Sequence, residues 1–277
     1  MKQFVEQNMY GYRIHAPQLG EVKTVRVWTP DHYRPEQPSA ALFMHDAQNL
    51  FDLPDAFPAG WEADRAMPFS GVWQADRAAD DYAEKHACQL IVVGVDQSLN
   101  RFNEYCPPMA VNQCYSAGLN SRWSDYIDSP CGDRYADFFA DTLVPFVLSE
   151  FPGVAESGKL LIGGSSMGGL ISLYILSRSP GLFMGTACFS PALAALDVDA
   201  RRELLDMVRV CPAFTRFYFY VGGFGFESEF VAPAADFVRG LALSGQYEMI
   251  FHQVPTKDHS EHSWAEELPS ALEFLLK

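Results

Sequence analysis

Short runs of apolar, β-branched and aromatic residues alternate along the chain with longer amphipathic stretches. This alternation is typical of strand–helix–strand units on a mostly parallel sheet, because a short run fits a buried strand and a longer stretch fits a covering helix. Strands are predicted near 24–28, 40–45, 90–95, 160–163, 186–189, 217–221 and 249–254. Helices are predicted at 74–85, 133–149, 168–177, 200–208, 233–242 and 263–276. The predicted fold class is therefore α/β.

The second predicted helix carries a stripe of large residues at helical spacing, among them Tyr135 and Phe139. Such a stripe normally packs in the core, and we assign it no chemistry.

Two stretches, 51–72 and 106–131, interrupt the alternation. Both contain several prolines and aromatic residues. Long loops are often functional, and open α/β sheets bind ligands at the carboxyl ends of their strands. We expect the two stretches to cover that edge as a lid, the alternative being surface loops without a role. Neither resembles a linker, so residues 1–277 are expected to form one domain.

Composition and charge exclude several classes of protein. Hydrophobic residues make up 48% of the 277 residues, enough for a large core. The net charge of −15 argues against nucleic acid or an anionic membrane as a partner, because proteins that bind phosphate groups present basic patches. No apolar run approaches the ~18 residues of a membrane span, and the start of the chain does not resemble a signal peptide. We expect a cytoplasmic location.

The six cysteines lack the paired spacing of a zinc site. No metal is expected, and thiols are the default state in the cytoplasm. Cys106, Cys114 and Cys131 share one loop-rich stretch, so a disulfide among them is the alternative if the protein is secreted.

One segment indicates catalytic chemistry. An apolar strand starting at Leu160 leads into G-x-S-x-G over 164–168 and then into a helix. In that context the pattern is a nucleophile elbow: Gly164 and Gly168 leave room for a sharp turn that presents the hydroxyl of Ser166. The alternative is a Gly/Ser-rich turn without function, but the flanking strand and helix favour the elbow.

A serine nucleophile needs a base, and the base needs a carboxylate to orient it. In α/β-hydrolases the chain order is serine, acid, histidine. A glycine-rich turn with Glu227 and Glu229 follows the sixth predicted strand, and His259 follows the seventh. His259 is preferred to His262 as the base because His262 is expected to begin the last helix. Glu227 is assigned as the acid, with Glu229 or an aspartate elsewhere as alternatives.

Acyl transfer also needs two N–H donors for the oxyanion. One is normally the amide after the nucleophile, here Met167, and the other comes from a loop after an earlier strand. That loop is 45–49, from which we select Gln48. Asp46 is expected to order the turn, and His45 to cap the buried strand.

Further motifs follow one another along the chain: 43–51 (FMHDAQNLF), Trp73 with Asp76, 101–105 (RFNEY), 132–135 (GDRY), the elbow, and 259–261 (HSE) followed by Trp264. Together they resemble the putative esterase family of α/β-hydrolases, which includes esterase D and the enterochelin (siderophore) esterases. The resemblance spans most of the chain. It implies an α/β-hydrolase fold with long loops over the active site.

For the site, the resemblance implies Ser166 as nucleophile, His259 as base, and the amides of Gln48 and Met167 as oxyanion donors. Arg101 and Trp264 would border the substrate pocket. Some siderophore esterases work with a Ser–His pair and no firm acid, so that alternative to Glu227 stays open.

These features predict a serine hydrolase that cleaves the carboxylic ester of a small molecule through an acyl-enzyme, without metal or organic cofactor. The first expected substrate is a siderophore trilactone. Acetylated or feruloylated carbohydrate is the alternative substrate, and acyl transfer to an alcohol other than water is the alternative reaction. A non-catalytic binding protein on the same fold is the alternative outside enzymes. The oligomeric state is left open.

Overall fold

The computed structural model describes residues 2–6, 8–52, 71–109 and 126–277. The strands in these residues are β1 Lys2–Glu6, β2 Met9–Ala16, β3 Glu21–Trp28, β4 Ser39–His45, β5 Gln89–Val95, β6 Leu160–Ser165, β7 Gly185–Phe189, β8 Arg216–Val221 and β9 Met249–Gln253. They form one sheet in the order β1-β2-β3-β5-β4-β6-β7-β8-β9. The pairs along β1-β2-β3-β5 are antiparallel, and all pairs from β5 to β9 are parallel.

Helices lie on both faces of this sheet. They are α1 Ala75–His86, α2 Arg101–Glu104, α3 Gly132–Phe138, α4 Val144–Glu150, α5 Pro152–Ser157, α6 Met167–Arg178, α7 Val198–Val208, α8 Ser228–Ala242 and α9 Glu261–Leu275. A π-helical turn, Phe139–Leu143, joins α3 to α4, and short 3₁₀ turns occupy Ala47–Asn49, Leu193–Ala195 and Gly225–Glu227. Among the helices just given, none is both long and apolar enough to cross a bilayer.

The central strands are buried at every position because both faces are covered. In β5, Leu90 and Val92 join a core with α1 and α9, whereas Ile91 and Val93 join the opposite core with α3, α6, α7 and α8. A strand buried on both faces gives a continuous apolar run instead of an alternating one. This explains why the central strands could be located from the sequence.

The α/β prediction is confirmed, and all seven predicted strands are present. The outer strands β1 and β2 were missed, and β2 exposes Arg13 and His15 to solvent, which weakens its apolar signal. The helix predicted at 233–242 begins earlier, at Ser228, because Pro233 lies inside α8 and does not start it.

The strand order indicates where on the sheet a ligand would bind. β5 and β6 lie on opposite sides of β4, so the chain reverses its direction of travel across the sheet at this point. A crevice forms outside the carboxyl ends of strands at such a reversal. The turns after β4 and β6 leave the sheet here, and they contain Gln48 and Ser166.

The two stretches predicted to cover this edge, 51–72 and 106–131, lie largely outside the described residues. Of the cysteines that raised the possibility of a disulfide, Cys106 and Cys131 are buried thiols, and Cys114 is outside the described residues. The one-domain prediction stays a prediction.

Candidate active site

The backbone at Ser166 is held in a conformation that few non-glycine residues adopt, with φ 55° and ψ −121°. Its N–H donates to the carbonyl of Phe189 at 2.9 Å, and its carbonyl accepts from the N–H of Ala192 at 2.8 Å. A strained backbone persists only where its surroundings hold it, and such strain often marks functional sites. Here the end of β7 holds the turn between β6 and α6.

Two glycines allow this turn to pack closely. A Cβ on Gly164 would lie 3.0 Å from the carbonyl carbon of Gly168 and 3.1 Å from Cδ2 of His45. A Cβ on Gly168 would lie 3.4 Å from Cβ of His45. The elbow is thus compact at Gly164, as its pattern predicted, and it packs directly against the strand that leads to the 46–49 turn.

His259 and Glu227 form a buried pair. Nδ1 of His259 hydrogen-bonds Oε2 of Glu227, and both side chains are almost fully shielded from solvent. The other carboxylate oxygen of Glu227 accepts from the amide of Gly222 at 2.7 Å and from the hydroxyl of Ser190. Because Nδ1 faces the carboxylate, Nε2 is the ring nitrogen able to take a proton from a serine.

Aromatic rings fix the plane of the His259 imidazole. Phe230 stacks on it with centroids 4.3 Å apart, and Trp264 meets it edge-on at 4.9 Å. The indole N–H of Trp264 donates to the hydroxyl of Ser190 at 2.9 Å.

Contacts at the end of β7 connect this pair to the serine turn. Phe189 accepts the hydrogen bond from Ser166, and the next residue, Ser190, donates to Glu227. β6, β7 and β8 are adjacent and parallel, so the segments that follow them emerge at the same edge. The structure therefore brings the serine turn and the His259–Glu227 pair to one edge of the sheet.

The alternatives considered for the acid and the base lie elsewhere. Glu229 is exposed on α8, and it is Glu227 that contacts His259. The His262 side chain is 78% exposed, and its Nε2 lies 3.0 Å from Oε1 of Glu266.

The turn after β4 is held by side chains on either side of its predicted donor. Asp46 has a left-handed backbone, φ 58° and ψ 50°, and its carboxylate accepts two hydrogen bonds from Arg101, at 2.6 and 2.8 Å. The Gln48 side chain accepts from the amide of Gln97 at 3.0 Å and donates to its carbonyl at 3.2 Å. These bonds fix the peptide that carries the Gln48 amide.

The second predicted donor is the first residue of α6. The first four amides of an α-helix have no acceptor within that helix, and the helix dipole favours negative charge there. Met167 occupies the first of these positions. Its amide thus belongs to the group that can stabilise an anion.

Arg101 and Trp264, which the resemblance placed at the substrate pocket, are buried, with 7% and 1% exposure. The guanidinium of Arg101 binds Asp46, and the indole of Trp264 binds Ser190 and packs on His259. This geometry favours supporting roles for both side chains. That both residues border the substrate pocket stays a prediction.

Ser190 was missed in the sequence. It is fully buried and has a left-handed backbone, φ 46°, which is unusual for a non-glycine residue. The sequence did contain one signal for it. Ser190 is a polar residue directly after β7, the strand beside β6, and α/β proteins place their sites at this edge of the sheet.

His45 is neutral at physiological pH. Burial is the main cause that lowers the pKa of its imidazole to about 3, with Asp46 acting in the opposite direction and Arg101 adding to the lowering. Nδ1 lies 3.1 Å from the hydroxyl of Tyr135, and Nε2 lies 3.1 Å from the hydroxyl of Ser172. His45 ends the buried strand β4, as expected, and it is also part of a buried hydrogen-bond network.

A family model described as "Putative esterase" matches residues 16–275. An IroE-like serine hydrolase from Shewanella oneidensis is 16% identical, with a TM-score of 0.73 over 98% of this chain and 80% of that one. The siderophore hydrolase EstA from Aspergillus nidulans is 16% identical, with a TM-score of 0.67 over 99% and 97%. An S-formylglutathione hydrolase from Agrobacterium tumefaciens is 15% identical, with a TM-score of 0.61 over 99% and 96%.

These structural likenesses concern the fold and confirm the predicted α/β-hydrolase architecture. Among curated sequences, the uncharacterized protein YbbA of Bacillus subtilis (strain 168) is 24% identical over 127 residues. That match spans 46% of this chain and 46% of the relative, so it covers less than half of either protein.

The burial of His45 predicts a loss of stability in acid. The unfolded chain binds the His45 proton near the ordinary pKa of 6.5, whereas the folded protein resists it down to about 3. Stability contributed by neutral His45 is therefore lost as the pH falls from 6.5 towards 3, by about 2–3 kcal/mol at pH 4.5. Urea denaturation at pH 7 and pH 4.5 should show that the free energy of unfolding falls less between these pH values in His45→Gln than in the parent.

The exposed residue His32 provides the control, His32→Gln, for removal of an imidazole. An acid-induced loss in His45→Gln as large as that of the parent would contradict a buried, neutral His45.

Proposed function

Because the chain belongs to the putative esterase family, we propose that it is a serine hydrolase that cleaves carboxylic esters through an acyl-enzyme. The observation that carries this proposal is the clamp at the end of β7, where Phe189 binds the turn of Ser166 and Ser190 binds the acid partner of His259. A nucleophile, a base and an orienting carboxylate on adjoining strand ends are the parts that acyl transfer requires.

In the proposed acylation step, the hydroxyl oxygen of Ser166 attacks the ester carbonyl carbon while Nε2 of His259 takes its proton. The carbonyl oxygen becomes an oxyanion and accepts hydrogen bonds from the amides of Gln48 and Met167. His259 then donates the proton to the alkoxide as the carbon–oxygen bond breaks, and the alcohol leaves.

Deacylation follows the same path with water as the nucleophile. His259 takes a proton from water as the oxygen attacks the acyl carbon, and returns it to the oxygen of Ser166 as the acid departs. Glu227 stabilises the imidazolium formed in each half-reaction. Its carboxylate is already hydrogen-bonded to Ser190 and Gly222, so little reorganisation is needed when the charge appears.

We further propose that the substrate is a cyclic siderophore trilactone. The family membership and the likeness to a siderophore hydrolase support this class, which was also the first expectation from the sequence. Acetylated sugars, feruloyl esters and an alcohol acceptor in place of water are the competing possibilities. The proposed catalytic residues leave them open, because all of these reactions share one acyl-enzyme.

The Ser166 hydroxyl is expected to be essential. Ser166→Ala should lower kcat/KM for a short p-nitrophenyl ester by on the order of a thousandfold or more, because the nucleophile is lost. Ser165→Ala, which removes the neighbouring hydroxyl at the end of β6, should keep most of the activity. A fluorophosphonate probe should label the parent and Ser165→Ala but not Ser166→Ala. Equal rates in Ser166→Ala and the parent would eliminate the mechanism and favour a non-catalytic binding protein.

Substitutions of Glu227 and Glu229 are expected to have very different effects on kcat. Glu227→Gln is expected to lower kcat by roughly 10²–10⁴-fold, because a neutral amide stabilises neither the correct tautomer nor the imidazolium of His259. Glu229→Gln makes the same change two residues away on an exposed side chain and should stay within about twofold of the parent. Full activity in Glu227→Gln would indicate a Ser–His pair that works without this acid.

Substrate class is tested by comparing kcat/KM across a cyclic trilactone, an acetylated sugar and a feruloyl ester. The trilactone is expected to give the highest value. Higher values for either of the other esters would refute the siderophore assignment while leaving the serine mechanism intact, and product analysis with a competing alcohol distinguishes hydrolysis from transfer.

A further inference from the structure

A buried network of four hydrogen bonds and one aromatic contact runs between the two segments that carry the proposed oxyanion donors. It starts at the backbone of the turn after β4 and ends at the backbone of the first turn of α6. Its members, in spatial order, are the amide of Asp46, Tyr105, Tyr135, His45, Ser172 and the carbonyl of Gly168, with the ring contact between the two tyrosines. The four side chains are each at most 2% exposed, so the connection lies inside the protein.

The first half of this buried network holds the turn after β4. The amide of Asp46 donates to the hydroxyl of Tyr105 at 3.3 Å, and the Tyr105 ring packs on the Tyr135 ring with centroids 5.1 Å apart. The Asp46 carboxylate is held separately by Arg101. A residue with a left-handed backbone is thus fixed at both its main chain and its side chain, which over-determines its conformation.

The second half reaches the elbow helix. The hydroxyl of Ser172 donates to the carbonyl of Gly168 at 2.7 Å, and a carbonyl can only accept. Ser172 has one proton, so it must accept from Nε2 of His45, 3.1 Å away. Neutral His45 carries a single N–H, which leaves Nδ1 as an acceptor.

These assignments fix the remaining directions. The hydroxyl of Tyr135 must donate to Nδ1 of His45, 3.1 Å away. From Tyr135 to the carbonyl of Gly168, each hydrogen bond thus has one direction. Deleting the Tyr135 hydroxyl would leave Nδ1 of His45, a buried acceptor, without its partner, which is costly.

The two ends of the buried network lie next to the two proposed oxyanion donors. Gln48 follows Asp46 by two residues, and Met167 immediately precedes Gly168. A Cβ on Gly168 would lie 3.6 Å from the carboxylate of Asp46, so the turn and the elbow are also in close packing. The amides of an oxyanion hole must be placed accurately, since a shift of about 1 Å can cost on the order of a hundredfold in rate.

We propose that His45, Tyr105 and Tyr135 are positioning residues that set the geometry between the Gln48 and Met167 amides by tying the turn after β4 to the start of α6. The inference rests on the proposed function and deepens it, because it assigns roles in oxyanion stabilisation to residues that do not touch the substrate. Their contribution should therefore appear in the transition state and not in substrate binding.

The test removes one tyrosine hydroxyl from the middle of the buried network and, as a control, one tyrosine hydroxyl from a site outside it. Tyr135→Phe interrupts the path. Tyr12→Phe is the control, since the hydroxyl of buried Tyr12 has no hydrogen-bond partner among the described residues. Active sites are titrated with a fluorophosphonate, and kcat, KM and the affinity of an alkylboronic acid, which forms a tetrahedral adduct with a serine hydroxyl, are measured for each variant.

In Tyr135→Phe we expect kcat per titrated site to fall about tenfold to a hundredfold, KM to stay within about twofold, and boronic acid affinity to weaken by a factor similar to the fall in kcat. Tyr12→Phe should match the parent in all three. If Tyr135→Phe changes only the titrated fraction, with kcat per site and boronic acid affinity unchanged, the role is structural and the inference is overturned.

A parent protein without esterase activity would refute the proposed function, and the coupling is then tested on its own. Amide hydrogen exchange is expected to become faster at both 46–48 and 167–168 in Tyr135→Phe, and at neither segment in Tyr12→Phe. Exchange that quickens at one end only, or at neither, would overturn the inferred coupling.

Discussion

The carboxyl end of β7 is the constraint on which the rest of the site depends. Two consecutive residues there serve two different segments: Phe189 accepts the amide of Ser166, and Ser190 donates to Glu227. Without this clamp, the proposed nucleophile and the His259–Glu227 pair would be attached to separate strands with no fixed relation. Both serines have left-handed φ angles, and strain of this kind costs roughly 1–3 kcal/mol for each residue. Burial and the hydrogen bonds at this edge offset that cost.

The polar groups around the clamp are stable because they are satisfied in pairs. Glu227 is buried with hydrogen bonds on both carboxylate oxygens, and Asp46 is held by a two-bond contact with Arg101. Removing one partner of such a pair leaves a charge in a low-dielectric environment, at a cost of ~3–5 kcal/mol. The same desolvation keeps His45 neutral, which leaves its Nδ1 as the acceptor for the hydroxyl of Tyr135. Stability and preorganisation for catalysis therefore have a common physical origin here.

How much the sequence could predict depended on how local each signal was. The central strands and the elbow were predictable because an apolar run and a five-residue glycine–serine pattern are both contiguous. Glu227 and His259 were inferred from chain order and strand ends, but their contact joins segments 32 residues apart and needed the structure. Tyr135 had the spacing of a core residue, and its ring is buried as expected, yet no periodicity reports what a buried hydroxyl contacts. The same limit applied to Arg101 and Trp264, whose partners lie on distant segments.

The proposed mechanism requires that Ser166, His259 and the two amides converge on one reacting carbonyl. A crystal structure of the protein after reaction with a fluorophosphonate measures this directly. Phosphorus is expected on the Ser166 oxygen, one phosphonate oxygen about 3 Å from the amides of Gln48 and Met167, and Nε2 of His259 within about 3 Å of the Ser166 oxygen or a phosphonate oxygen. An adduct on another residue, or a His259 ring turned away from the modified serine, would contradict this convergence.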